Sequence, residues 1–225
     1  MRYKGIIFDF NGVLLWDTPL QSESWCRYAE HLRGKRFSEQ EVAEHVIGRD
    51  NRYILHYLTG RVINGQELEI HTDHKETLYR NLCLEQGPNF QLSPGAPQLL
   101  DELTARGVRR AIASSAGKEN FLFYFLHLDL SRWFDFDDVI YDDDRIATKP
   151  APDAYLKAAD RLGLPPAACV AVEDSLHGIQ AARSAGMGYI VALGEAEQHP
   201  RLLQIEGVDY TVETLNQVPV RFLYG

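Results

Sequence analysis

The feature that most limits what this chain can fold into is a set of short apolar runs at Gly5 to Phe10, Val108 to Ala113, Val139 to Tyr141, Cys169 to Val172 and Tyr189 to Leu193. The runs are continuous rather than alternating, so each predicts a strand buried on both faces, as in a parallel sheet covered by helices. Helix-length segments separate most of them, which predicts a doubly wound α/β class. Local chemistry marks the helix ends. Ser93 and Pro94 are read as opening a helix that Gly107 closes, and Pro152 as opening one that carries Tyr155, Leu156, Ala159 and Leu162 before Gly163. A third is expected from Ser175 to Ala185, stopping at Gly186.

The stretch between the first and second runs is too long for a simple crossover and is richer in charge and aromatics than the rest. It predicts an inserted α-helical cap domain over 16–92, with a Rossmann-like core formed by 1–15 and 93–225. Ser38 with Glu41 makes a capping box at a helix start inside it, and Asn64 with Glu67 a looser one.

Lys and Arg number 23 against 32 Asp and Glu, a formal charge of −9, which repels nucleic-acid backbones and anionic lipid heads unless a local basic patch overrides it. No such patch stands out along the chain, so neither nucleic acid nor membrane is an expected partner. Cys26, Cys83 and Cys169 lie far apart with no CxxC pair, which fits a reduced cytoplasmic setting. Asp9 interrupts the first apolar run too early for a signal peptide, and no later stretch reaches membrane-spanning length.

Four clusters fall at or just after the C-terminal ends of expected strands, where open α/β sheets place their ligands. They are Asp9-Phe10-Asn11-Gly12-Val13, Ser114-Ser115, Lys149-Pro150 and Glu173-Asp174. Phosphoryl transfer needs an in-line nucleophile, a metal to neutralise charge, and fixed donors around the equatorial oxygens. Asp9, leaving a buried strand into a glycine turn, is suited to be that nucleophile, forming an aspartyl phosphate. Glu173 and Asp174 offer hard oxygens suited to Mg²⁺, although acidic residues also stabilise a helix start with no metal at all. Taken singly, Ser114 reads as a cap for the next helix and Lys149 as a solvated lysine before a turn; together they are the hydroxyl and ammonium donors a phosphoryl group requires.

In that order the clusters resemble the four motifs of the haloacid dehalogenase-like superfamily, and the cap position resembles its β-phosphoglucomutase-like branch. The stretches TKPAPDAY and VEDSLHGIQAARSAG carry the likeness furthest. The resemblance implies that Asp9, the Asn11 backbone carbonyl and Asp174 hold Mg²⁺, with Glu173 bound directly or through water. It implies that Ser114, Ser115 and Lys149 hold the phosphoryl group, and that the substrate is a small phosphorylated metabolite. It also implies that Arg49 grips a second anionic group, a task suited to its bidentate fork; an exposed helix-start arginine is the alternative.

Two positions depart from the pattern. Asn11 stands where the resemblance implies a general acid and base, and an amide neither donates a proton to a leaving alkoxide nor takes one from water. Such a loss costs about 10²- to 10⁴-fold in rate. Gln21 stands where the mutases carry a histidine. Both weaken a phosphosugar mutase reading and leave a Mg²⁺-dependent phosphatase, or a phosphate-ligand binder with weak turnover. A metal-free dehalogenase is disfavoured by Glu173 and Asp174, and a Schiff-base phosphonate hydrolase by Arg49, whose guanidinium is no usable amine. Trp16 and Trp25 are expected in the cap core rather than lining the entrance, His71, Asp73 and His74 on a solvated face rather than around a metal, and the acidic run Asp135, Asp137, Asp138 and Asp142 to Asp144 on a solvated loop rim rather than at a cation site.

Overall fold

The computed structural model describes residues 3–143 and 145–223, so Asp144 lies outside the described residues. In chain order the elements are β1 (Gly5–Phe8), α1 (Thr18–Arg33), α2 (Glu39–His45), α3 (Asn51–Thr59), α4 (Gly65–Glu85), α5 (Ala96–Ala105), β2 (Arg109–Gly117), α6 (Lys118–His127), β3 (Val139–Asp142), α7 (Asp153–Arg161), β4 (Cys169–Glu173), α8 (Leu176–Ser184), β5 (Tyr189–Leu193), α9 (His199–Leu202) and β6 (Tyr210–Val212). The chain divides into two compact units, Met1–Trp16 with Gln91–Gly225, and Asp17–Phe90.

In the first unit six strands form one parallel sheet in the order β3-β2-β1-β4-β5-β6. The order reverses direction between β1 and β4, which makes their C-terminal ends the switch point where this architecture places ligands. Every residue of β1 and β4 is buried, as continuous apolar runs require of central strands. Register sets Ile7 beside both Ala111 and Ala171 on one face. Tyr155, Ala158 and Ala159 of α7 and Ile179, Ala181 and Ala182 of α8 pack into the same apolar cluster. Small sheet residues there leave room for the Tyr155 ring, and burial of this layer is the main favourable term holding the unit together.

The second unit is helical. Trp25, Tyr28 and Ala29 of α1 cluster with Ile54 and Leu55 of α3 and with Ile63. On α4 the buried residues Lys75, Tyr79, Leu82 and Cys83 fall at helical spacing along one face. Ser38 and Glu41 form the expected capping box at the start of α2.

Several local expectations are corrected. β1 stops at Phe8 rather than Phe10: the Asp9 amide makes one last ladder bond to the Val172 carbonyl at 3.0 Å, and at Phe10 the chain turns, its carbonyl accepting from the Val13 and Leu15 amides. β2 runs on to Gly117, since its pairing with β3 resumes at Gly117 opposite Asp142 after a register shift. α5 begins at Ala96, not at Ser93, whose hydroxyl instead donates to the Val13 carbonyl at 2.6 Å while its amide donates to Leu14. Asn64 holds the N-cap position of α4 without a side-chain cap bond. Trp16 is 47% exposed and belongs to the first unit, whereas Trp25 is buried as expected. His71 is not merely solvated: its Nδ1 lies 2.6 Å from the Tyr28 hydroxyl. Asp137 and Asp138 are not a bare rim either, since both pair with Arg161, at 2.9 and 3.4 Å.

The chain approaches its neighbours closely where β5 begins. A Cβ on Gly188, just before β5, would meet the Ala167 carbonyl oxygen at 2.1 Å and the Tyr3 ring at 2.8 Å. Gly188→Ala is therefore expected to lower stability by roughly 1–3 kcal/mol, read as a shift in the chemical-denaturation midpoint.

Candidate functional site

Three strands deliver the site. Asp9 follows Phe8, which pairs with Ile112 of β2 and with Val172 of β4, so Asp9, Ser114 and the pair Glu173 and Asp174 share one edge of the sheet. Asp9 is 8% exposed and Glu173 fully buried. Oxygens from Asp9, Glu173 and Asp174 all lie within 4.8 Å of one another.

Three carboxylates this close repel unless a cation offsets them, and Lys149 supplies part of that offset. Its ammonium donates to Asp9 Oδ1 at 2.7 Å and to Glu173 Oε1 at 2.5 Å. Glu173 is saturated: Oε1 also accepts from the buried Tyr155 hydroxyl at 2.8 Å, and Oε2 from the amides of Asp174 and Ser175 and from the Ser175 hydroxyl. Burial pushes the Asp9 carboxyl up to about 7, opposed by Lys149 and assisted by Glu173. Burial and the neighbouring Asp9 and Glu173 charges raise Asp174 well above the usual carboxylate range. The Lys149 ammonium is pulled down by burial and lifted further by its two carboxylate partners, so it stays charged.

Two glycines make this approach possible. Gly12 has φ +87°, and a Cβ there would sit 1.9 Å from Asp174 Oδ2. A Cβ on Gly178 would meet the Glu173 carboxyl group at 2.0 Å, so the first turn of α8 must be bare for the carboxylate to reach Lys149. Ser175 caps that helix by accepting from the Gly178 amide at 3.0 Å.

The remaining expected residues are placed as follows. Ser114 is buried inside β2 rather than capping α6, whose N-cap position is Gly117; its hydroxyl accepts from the Ala116 amide at 3.1 Å. Ser114, Ser115 and Lys149 line one small cavity of about 10 Å³. Asn11 turns its side chain to Tyr124, Nδ2 donating to the phenol oxygen at 3.1 Å, and Tyr124 is stacked on Phe10 at 4.6 Å. Gln21 and Arg49 belong to the second unit. There Gln21 donates to Asp17 at 3.0 Å and accepts from the buried Lys75 ammonium at 2.6 Å, and the Arg49 guanidinium lies over the Tyr53 ring at 4.6 Å. Tyr155 and Gly178 were not singled out as site residues from sequence. Both look like ordinary helix-face residues, and only their contacts with Glu173 reveal otherwise.

The donor set fits a divalent cation: hard carboxylate oxygens converge, and Gly12 leaves a cradle that any side chain would fill. The haloacid dehalogenase-like hydrolase family matches residues 3–186. The phosphorylated carbohydrates phosphatase of Thermotoga maritima is 30% identical over 82% of this chain and 82% of its own length. The fructose-1-phosphate phosphatase YqaB of Escherichia coli is 32% identical over 83% of this chain and 94% of its own. A family IA, variant 3 hydrolase from Entamoeba histolytica superposes with a TM-score of 0.91 at 31% identity, covering 98% of this chain and 97% of that one.

The raised carboxyl groups give stability a definite sign of pH dependence. A folded-state pKa above the unfolded value means protons favour the folded chain, so this contribution is present below about pH 4 and is lost as pH rises through about 7. The metal-free protein is expected to show a thermal midpoint that declines over that window. Asp174→Asn should flatten the decline, and an identical slope in that variant would contradict the assignment. Gly178→Ala, by displacing the Glu173 carboxylate, is expected to lower both the thermal midpoint and the turnover of phosphate esters, the latter by about tenfold or more.

Proposed function

The chain belongs to the haloacid dehalogenase-like hydrolases, and from that premise we propose that it is a magnesium-dependent phosphatase of small phosphorylated metabolites such as sugar phosphates, working through an aspartyl phosphate on Asp9. The observation that carries this reading is the buried Asp9 carboxylate held on one oxygen by Lys149, beside Asp174 and within one site with Ser114. The T. maritima and E. coli relatives are both named as phosphatases of phosphorylated sugars, which supports the substrate class.

In this reading Asp9, Asp174 and the Asn11 backbone carbonyl hold the cation, and Glu173 serves chiefly as the anchor of Lys149, its oxygens being already engaged. Magnesium, when bound, neutralises charge on the phosphoryl oxygens and lowers the barrier to anionic attack. Asp9 attacks phosphorus, the bond from phosphorus to the ester oxygen breaks, and the departing alkoxide must take up one proton. Lys149 and Ser114 donate to the equatorial oxygens as negative charge builds there. Water then attacks the acyl phosphate, loses a proton, and releases phosphate with Asp9 restored.

Both proton transfers lack the usual carboxyl partner, because Asn11 stands at that place and its amide is engaged by Tyr124. Poor leaving groups suffer most, since an aryl or acyl oxygen departs without protonation. Turnover is thus expected to favour aryl and acyl phosphates over sugar phosphates. The same reasoning disfavours a mutase, which must protonate one sugar oxygen and deprotonate another at that residue.

A panel of phosphate esters assayed with and without Mg²⁺ tests the function. Asp9→Ala is expected to abolish turnover, as is chelation of the metal; magnesium-independent hydrolysis, or hydrolysis by the Asp9 variant, would refute the mechanism. Asn11→Asp is expected to accelerate sugar phosphate hydrolysis by about 10²-fold while changing aryl phosphate hydrolysis little. Equal effects on both classes would show that proton transfer at residue 11 does not limit the reaction. Intact mass must establish that the native protein still carries Asn11, because the following Gly12 favours deamidation.

A further inference from the structure

The turn after β1 is closed by its own backbone. The Phe10 carbonyl accepts from the Val13 amide at 3.3 Å and the Leu15 amide at 3.0 Å, and the Leu15 carbonyl accepts from the Gly12 amide at 2.7 Å. Its side chains are held from elsewhere, by α6. Tyr124 meets two consecutive residues of the turn: its ring stacks on Phe10 at 4.6 Å, and its phenol oxygen accepts from Asn11 Nδ2 at 3.1 Å. Phe121, one helical turn earlier, meets the Phe10 ring edge-on at 5.1 Å.

Ring and hydroxyl have separate roles here. Phe10, Phe121 and Tyr124 are all fully buried, and a phenylalanine at position 124 would fill that packing role equally well. The hydroxyl adds nothing to apolar packing and carries a desolvation cost that a hydrogen bond must offset; the Asn11 side chain provides one. A phenol donates as well as accepts, so it would hold a carboxylate at position 11 as readily as the amide.

The backbone held in this way runs against the acidic cluster. A Cβ on Gly12 would stand 1.9 Å from Asp174 Oδ2, and Asp174 belongs with Asp9 and Glu173 to the group whose oxygens lie within 4.8 Å of one another. A small shift of residues 11 and 12 therefore moves main-chain atoms directly beside that cluster. We propose that Tyr124 is a positioning residue for the cation: by holding the Asn11 side chain, its hydroxyl fixes the turn whose Asn11 carbonyl joins Asp9 and Asp174 in the donor set. The assignment rests on the metal ligands of the proposed function, but not on turnover. Mg²⁺ accepts little departure from octahedral geometry at about 2.0–2.1 Å, so a carbonyl on an unanchored turn is a poorer ligand. Removing a group that holds a ligand from behind changes metal affinity by about 10- to 100-fold.

Binding of Mn²⁺ to the metal-free full-length protein, read from the loss of the free ion's electron paramagnetic resonance signal, tests this. Mn²⁺ takes the same oxygen donors in the same octahedral arrangement, and Asp9→Ala is the blank. Tyr124→Phe, which keeps the ring, is expected to weaken binding by about tenfold. Asn11→Ala, which keeps the main-chain carbonyl, should weaken it equally, and the double variant no further than either alone, because all three lack the same tie. Losses that multiply in the double variant would show that the phenol acts without Asn11 and would overturn the proposal. Unchanged affinity in Tyr124→Phe would overturn it too, as would the absence of saturable Mn²⁺ binding by the unaltered protein. Should Tyr124→Phe fail to fold, Asn11→Ala decides alone, unchanged affinity there being the refuting result. The phosphatase reading fails separately: this pattern of Mn²⁺ binding in a protein that hydrolyses no phosphate ester supports the positioning role and ends the assignment of turnover.

Discussion

A single buried ammonium, that of Lys149 between Asp9 and Glu173, is the interaction on which the site depends. Two carboxylates and a third close by cannot share a desolvated pocket without a compensating charge, and each contact that holds the lysine is itself held. Glu173 is fixed by the Tyr155 hydroxyl and by the start of α8, and the bare Cα of Gly178 admits it. Asp9 is fixed by the amide bond to Val172, which continues the β1–β4 ladder by one residue past the end of β1. The placement of Asp9 is thus an extension of sheet geometry, whereas Glu173 is held from the helices.

The sheet order explains why these residues meet at all. With β2 and β4 on either side of β1, loops from both neighbours arrive at the same end of the central strand. Residues separated by more than a hundred positions, such as Asp9 and Lys149, then become hydrogen-bond partners. Parallel strands make this possible because every strand presents its C-terminal end to the same side, and every helical return is carried on the faces.

Much of this was legible in sequence because it rests on local signals. Continuous apolar runs marked β1, β4 and β5, and the capping box at Ser38 was read correctly. The three-residue strand β6 was missed: Tyr210 and Thr211 are partly exposed at a sheet edge, so the apolar run that marks a buried strand is absent. β2 was read too short because Ser114 and Ser115 are polar, yet backbone pairing with β3 continues regardless of side-chain character. Asn64 and Glu67 have capping-box spacing and Asn64 does take the N-cap position, yet its side chain makes no cap bond, since such bonds depend on side-chain rotamers that sequence does not encode.

Asn11 shows how a conservative change can redistribute chemistry without disturbing structure. Amide and carboxylate are nearly isosteric, and the backbone carbonyl proposed to face the cation is the same for both. The turn is also indifferent to the change, since Gly12 and Leu15 close it through main-chain bonds, the Gly12 amide reaching Leu15 at 2.7 Å and the Leu15 amide reaching Phe10 at 3.0 Å. What differs is proton traffic: an amide engaged by a buried tyrosine is a fixed dipole, whereas a carboxyl group there would accept and return a proton within each cycle. In the proposed mechanism nucleophilic attack by Asp9 needs no such partner, while departure of an alkoxide and activation of water both do. On that mechanism, asparagine at position 11 separates two halves of one reaction that a carboxyl group would couple, and it would place selectivity in the leaving group rather than in the fold.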